Sequence, residues 1–263
     1  MSLTATYVND RGRVHLAATS LGVSATYAVF DRTTNAITYT TVRGATDTPV
    51  ASQAAVMDDH EFPAGELITY RVRSYNASNV LQATFTTTIT VDLTDVWVKV
   101  VAAPYLNRIV TVTEVGEVTR PARGGVFEIV DRRDPIGVSA LRSSRRFSIQ
   151  VMTVASSETV NFGLLLLSGQ TIYLQVPDAF PVPSLYAQIG DTTETEGARG
   201  DPTKFFTLPL TEVAAPDASV VGTNYSIVNV LADYATISAM IGANATIYDL
   251  MQHVGDPEDI LVG

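Results

Sequence analysis

The sequence predicts a mainly β protein, on three observations. Segments rich in Val, Ile, Thr, Tyr and Phe alternate apolar with polar residues along most of the chain. Turn-forming stretches such as "DRTTN", "DTP" and "NASN" cut these segments at a spacing of about ten residues. Helical periodicity is confined to one stretch in the middle and to the C-terminal tail. A length of 263 residues suits one large domain or two small ones with real cores.

Residues 1 to about 95 read as a β-sandwich, with strands in "ATYAVFD", "AITYTTV", "LITYRVRSYNA" and "LQATFTTTITVDL". In "PAGELITYRVRSYNAS", Leu67 precedes Tyr70 by three residues and Val72 continues inward along the strand. That pattern resembles fibronectin type III and immunoglobulin-like domains, in which a Tyr early in strand F closes a tyrosine corner. The absence of cysteine fits the fibronectin type better. The strand-C tryptophan of such domains is missing, because the only Trp, Trp97, follows this segment.

Residues 96 to about 216 form a second unit. Strands are expected in "DVWVKVV", "NRIVTVTEV", "GVFEIV", "RRFSIQVMTV", "TIYLQVP" and "KFFTLPLTEVA". Between two of them, "SSETVNFGLLLLSG" predicts a helix capped by Ser156 or Ser157, with Glu158 in its first turn and Gly169 ending it. Val160, Leu164 and Leu167 share one face of that helix, widened by Leu165 and Leu166. One helix on a mostly antiparallel sheet is an α+β layer arrangement.

The last segment, from about residue 217, contains a repeat. "YSIVNVL", "ATISAMI" and "ATIYDLM" align at a spacing of ten and predict three short helices, with Thr246 and Asp249 matching a capping pattern. Ile237, Met240 and Ile241 lie within one helical face, and Ile247 and Leu250 hold apolar places in the last repeat. Two-turn helices are marginal alone, so this tail is expected to dock, either on its own domain or on a neighbour.

The totals and motifs exclude several functions. A net charge of −10 argues against a general nucleic-acid binder. Without cysteine there is no disulfide, thiolate zinc site or thiol nucleophile. "MSLTATYVNDRGRVHL" lacks a secretory pattern, and the longest apolar run, "FGLLLL", is too short to span a membrane. His15, His60 and His253 are the only histidines, and none lies near a nucleophile elbow. "MDDHEF" has metal-ligating residue types but reads as a solvated loop, as does "DTTETEG", which lacks calcium-loop spacing. The single "RGG" feeds a strand, not the helix a phosphate cradle needs. No enzyme, cofactor or metal is expected.

The segment "RPARGGVFEIVDRRDPIGVSALRSSRRF" packs seven arginines into residues 120–147. From Asp191 onward, eleven carboxylates face only Arg199 and Lys204. Arginine makes planar, bidentate bonds to carboxylates and stays charged when partly buried. Arg142, Arg145 and Arg146 are thus candidates to meet the acidic C-terminal third of the same or a neighbouring copy, together with Arg120 and Arg123. A solvated sheet surface and contact with DNA remain the alternatives.

Over residues 97–216 the chain resembles minor tail proteins of long-tailed phages (siphoviruses) that infect actinobacteria. The likeness rests on "LNRIVTVTEVGEVTRPARGGVFEIVDRRDPIGVSALRSSRRFSIQVMT", "LLLLSGQTIYLQVP" and "FFTLPLTEVAAP", with the Ala-Thr-Ile repeats of the tail. Ile237 and Ile247 stand where such repeats usually carry an aromatic. The resemblance implies a structural component of the virion's tail tip or baseplate, assembled in the host cytoplasm. Its middle domain would be like distal tail and tail-tube proteins, a sandwich or split barrel with one flanking helix. Its partners would be copies of itself in a cyclic homo-oligomer and other phage tail proteins. The alternative function is a module binding a host-surface glycan, for which Tyr7, Tyr27, Tyr39 and Tyr75 are the candidate aromatics.

Overall fold

The structure, a computed structural model, describes residues 2–130, 133–198, 200–217 and Ser238. It is mainly β, and every strand pairing is antiparallel. The strands are β1 (Ser2–Val8), β2 (Arg13–Thr19), β3 (Tyr27–Thr33), β4 (Thr40–Thr41), β5 (Thr48–Pro49), β6 (Ala55–Asp59), β7 (Leu67–Tyr75) and β8 (Leu81–Thr90) in the first lobe. The second lobe holds β9 (Val96–Val100), β10 (Arg108–Val115), β11 (Gly125–Phe127), β12 (Ile136–Val138), β13 (Arg146–Thr153), β14 (Ile172–Gln175), β15 (Leu185–Ile189), β16 (Thr193–Glu196) and β17 (Lys204–Glu212). Helix α1 (Ser156–Leu167) lies between β13 and β14, and a 3-10 turn spans Pro104–Leu106.

In the first lobe, β1-β2-β6 form one sheet and β4-β3-β7-β8 another, with β5 also on β3. Period-two alternation sends Val14 and Leu16 from one sheet, and Phe30, Ile68, Tyr70 and Val72 from the other, into a shared core. The predicted strand "AITYTTV" shrinks to Thr40–Thr41. Asn35 explains this: its carboxamide oxygen accepts the N–H groups of Ile37 and Thr38, and Ala36 takes φ +57°, so the chain turns where alternation predicted extension. Tyr70 is fully buried, but its hydroxyl donates to the Asp59 carboxylate at 2.8 Å, whereas a tyrosine corner bonds to backbone.

In the second lobe, β13-β10-β9-β14-β15-β17 run in order and β17 pairs back onto β13, closing a six-stranded barrel. Closure replaces the layered arrangement expected from sequence. β17 makes it possible because one edge serves β13 along its length while the other is divided between β16 and β15. Val98, Ile149, Leu174 and Leu208 fill the interior.

Helix α1 appears where predicted, but the cap and the buried face differ. Ala155, not a serine, occupies the N-cap position, and Glu158 reaches back to the N–H groups of Val154 and Ala155. Gly169 ends the helix at φ +61°. The helix buries Phe162 and Leu165, with Phe162 edge-on to Phe206 at 5.1 Å. Val160, Leu164 and Leu167, expected to share the core face, are 50–83% exposed. The barrel needs a side chain at its mouth opposite Phe206, and Phe162 sits nearly opposite that leucine stripe on the helix, so the aromatic sets the rotation. The C-terminal segment for which three short helices are expected lies outside the described residues, Asp217 and Ser238 excepted.

Candidate functional site

Residues 117–145 leave the barrel between β10 and β13 as a two-stranded arm. Thr119 and Arg146 exchange backbone hydrogen bonds at its base, Ser143 N–H donates to Pro121 O, and β11 pairs with β12 further out. No described residue of the arm is buried. Phe127 sits opposite Ile136, and Gly125 opposite Val138, on one face, while alternation puts Val126 on the other. Val126, Phe127, Val138, Val130 and Leu141 are 55–90% exposed. An isolated two-stranded ribbon is marginal in water, and this one shows apolar side chains on both faces.

The arginines frame the arm. Arg145 makes a bidentate pair with Glu212 at the end of β17, 2.8 Å at each nitrogen, and its own N–H donates to the same carboxylate. That hydrogen bonding holds the Glu212 carboxyl down at about 2. Arg123 donates to the Ser143 hydroxyl and Arg142 to the Arg120 carbonyl, which tie one strand of the arm to the other. Arg120 and Arg146 are exposed at its root. The structure thus gathers Arg120, Arg123, Arg142, Arg145 and Arg146 around one stem. Ile237, Met240, Ile241, Ile247 and Leu250 lie outside the described residues.

The two lobes meet across a buried polar seam. Trp97 and Lys99 alternate with Val98 and Val100 along β9, so they face out of the barrel, and Lys99 is 1% exposed. Trp97 lies flat on Gly12, where a Cβ would approach the indole to 2.8 Å. The Lys99 ammonium donates to Gly12 O, to His60 O and to the Gln175 carboxamide oxygen. Gln175 in turn donates to Phe62 O at 2.6 Å. Burial pulls Lys99 down to about 7 against the opposing pull of Asp59 and Glu61. Burial also lowers His60, to about 4, helped by the Lys99 charge. The Asn107 amide lies 3.3 Å from His60 Nδ1.

"MDDHEF", expected to be a solvated loop, is instead a bonded polar segment whose three carboxylates all have partners. Asp58 binds Arg13 and His15. Asp59 holds Arg32 through both oxygens and accepts the Tyr70 hydroxyl and the Glu61 N–H. Burial by itself pushes the Asp59 carboxyl up, but the Arg32 charge and these hydrogen bonds bring it below its ordinary value. Glu61 takes Arg43 at 2.8 Å and the Tyr186 hydroxyl at 2.9 Å, joining the lobes. Arg43 also donates to the carbonyls of Pro216 and Asp217, clamping the chain beyond the barrel to the first lobe. The error has a physical source. Asp58, Asp59 and Glu61 read as solvated because their cations come from 18 to 45 residues earlier in the chain.

The cleft beside Lys99 and His60 holds about 30 Å³, room for one or two waters. "DTTETEG" is exposed as expected but forms the edge strand β16. Among the described residues, no group of three or more His, Asp or Glu is placed to hold a metal ion. Among them also, no helix is long and apolar enough to cross a membrane. Of the four tyrosines, Tyr7 packs edge-on to Phe62, whereas Tyr27 and Tyr75 stack on each other at 5.3 Å and Arg71 lies 3.8 Å over Tyr39. No protein-family model matches the chain. No curated protein matches it either.

Proposed function

We propose that this chain is a structural subunit of a phage tail tip, built into the virion through contacts with copies of itself and with adjacent tail proteins. The observation that carries the reading is the arm of residues 117–145, whose described residues are apolar on both faces, framed by arginines and left unburied by the other described residues. Such a ribbon gains stability when a neighbour covers it, and a repeated, head-to-tail use of one arm generates a ring. Arginine at its root supplies bidentate bonds that set register more than they add affinity.

In this reading the first lobe is an immunoglobulin- or fibronectin-type decoration, and the barrel with α1 is a distal-tail or tube-like module. The segment 217–263, with its ten-residue sequence repeat, is the docking tail of this reading. Function is assembly, not catalysis. Lys99 has the depressed pKa of a catalytic lysine, but its donors are spent on three oxygens of the fold, in a cleft too small for a substrate.

The experiment is mass determination of the purified chain across a concentration series, beside Phe127→Asp and Val130→Asp. Closed oligomers that dissociate in both variants, with unchanged unfolding curves, are expected. A chain that stays monomeric at every concentration and also fails to join disrupted tail particles would overturn the proposal.

A further inference from the structure

The outer face of β3, β7 and β8 carries a second surface, built from the first lobe alone. Phe30, Tyr70 and Val72 point into the core, so alternation turns Tyr27, Asp31, Arg71, Arg73 and Tyr75 outward. Pairing aligns them in rows. Tyr27 is opposite Tyr75, and Asp31 is opposite Arg71, which is itself opposite Thr86 on β8.

Two guanidiniums share one carboxylate in the middle row. Arg71 reaches Asp31 Oδ2 through Nε at 3.2 Å and Nη2 at 2.8 Å, and Arg73 reaches it through Nε at 3.0 Å and Nη2 at 2.9 Å. Nη1 of each takes no part in these bonds. The pair keeps one positive charge in surplus, on a chain whose net charge is −10. Arg71 is stacked 3.8 Å from the Tyr39 ring centre, which fixes the plane of its fork. Tyr27 and Tyr75 stack at an interplanar angle of 16°, and Asn79 receives the Tyr27 hydroxyl. Along β8 the threonines at 84, 86, 88 and 90 are all exposed, with no charge and no proline in the strand.

We propose that this face binds a carboxylate-bearing polysaccharide. Preset aromatic rings and a row of hydroxyls on one sheet face suit the apolar and hydroxyl faces of sugars. The charge surplus selects an acidic chain over a neutral one. Planar bidentate geometry selects carboxylate, the very group that Asp31 already presents to the same two arginines. A nucleic acid would need more cations than two, and an apolar peptide would strand the arginines.

The full chain is passed over surfaces coated with hyaluronate, neutral dextran or polyphosphate, with binding read by interferometry. Binding to hyaluronate above dextran and polyphosphate is expected. Thr86→Glu places a carboxylate beside Arg71 at an exposed position, and it should weaken hyaluronate binding about tenfold while leaving the unfolding curve unchanged. Absence of hyaluronate binding overturns the proposal. So does equal binding to dextran, preferred binding to polyphosphate, or a hyaluronate signal that Thr86→Glu leaves intact and so belongs to the arm. None of these outcomes depends on whether the chain oligomerises.

Discussion

Replacing Asp59 by asparagine isolates a buried ion pair, Arg32–Asp59, in which both carboxylate oxygens are engaged. Asp59 is 2% exposed and accepts two bonds from Arg32, one from the Tyr70 hydroxyl and one from the Glu61 N–H. Asparagine keeps one oxygen, enough for the Glu61 N–H, but turns an amide donor toward groups that are themselves donors. Arg32 is then left charged beside a neutral group. Breaking one partner of a buried pair costs roughly 3–5 kcal/mol, and the retained oxygen places Asp59→Asn at the lower end, about 3 kcal/mol. With a urea slope of about 3 kcal/mol/M, the midpoint should fall by about 1 M. Urea titration followed by intrinsic fluorescence reads this directly, because Trp97 lies at the adjoining seam. The double variant Arg32→Met/Asp59→Asn removes the stranded cation and should regain part of the loss. A midpoint shift below about 0.3 M for Asp59→Asn, or a double variant no more stable than the single, would refute the pairing argument.

Other expectations concern pH, close packing and the arm. His60 falls from 6.5 to about 4 in the folded chain, so between these values the unfolded chain binds the extra proton and stability declines as pH drops. That fall corresponds to about 3 kcal/mol lost by pH 4, and His60→Gln should flatten that part of the stability profile in urea titrations at stepped pH. Lys99, ordinarily at 10.5 and lowered to about 7, works in a different window: folding is favoured progressively as pH rises from 7 to 10.5, a slope absent from Lys99→Met. Gly12→Ala combines φ +56° with a 2.8 Å approach to Trp97 and should cost about 2–4 kcal/mol, visible as a lowered thermal midpoint. Arg145→Ala should cost only about 1 kcal/mol, since solvent screens the pair, yet it should raise hydrogen exchange throughout residues 117–145.

What was legible in the sequence was whatever a local pattern decides. Alternation located β3, β7, β8, β9, β13 and β17, and a glycine after a leucine run located the end of α1. Barrel closure was not legible, because it depends on β17 meeting β13 across more than fifty residues, and no alternation encodes which edges pair. The rotation of α1 was missed because Phe162 outweighs three leucine-type positions once Phe206 faces it. The seam was missed for a related reason. Lys99 sits in "VWVKV" as an apparent interruption of an apolar strand, and outward alternation beside Trp97 was the available signal that a second surface covered it. The arginine cluster was visible by composition, yet Glu212 as the partner of Arg145 required the fold.

Barrel closure by β17 has a temporal consequence. The first lobe is complete once residue 91 has been made, but the ring waits for residue 212, the end of the strand that seals it. At elongation rates of about 5–20 residues per second, that interval lasts roughly 6–24 s. Within it, the carbonyls of Gly12 and His60 await Lys99 of β9, that of Phe62 awaits Gln175 of β14, and the arm emerges before its own root can be fastened to Glu212. A nascent chain with a finished lobe, an open sheet and a free apolar ribbon exposes, for that interval, the surfaces through which chains misassemble.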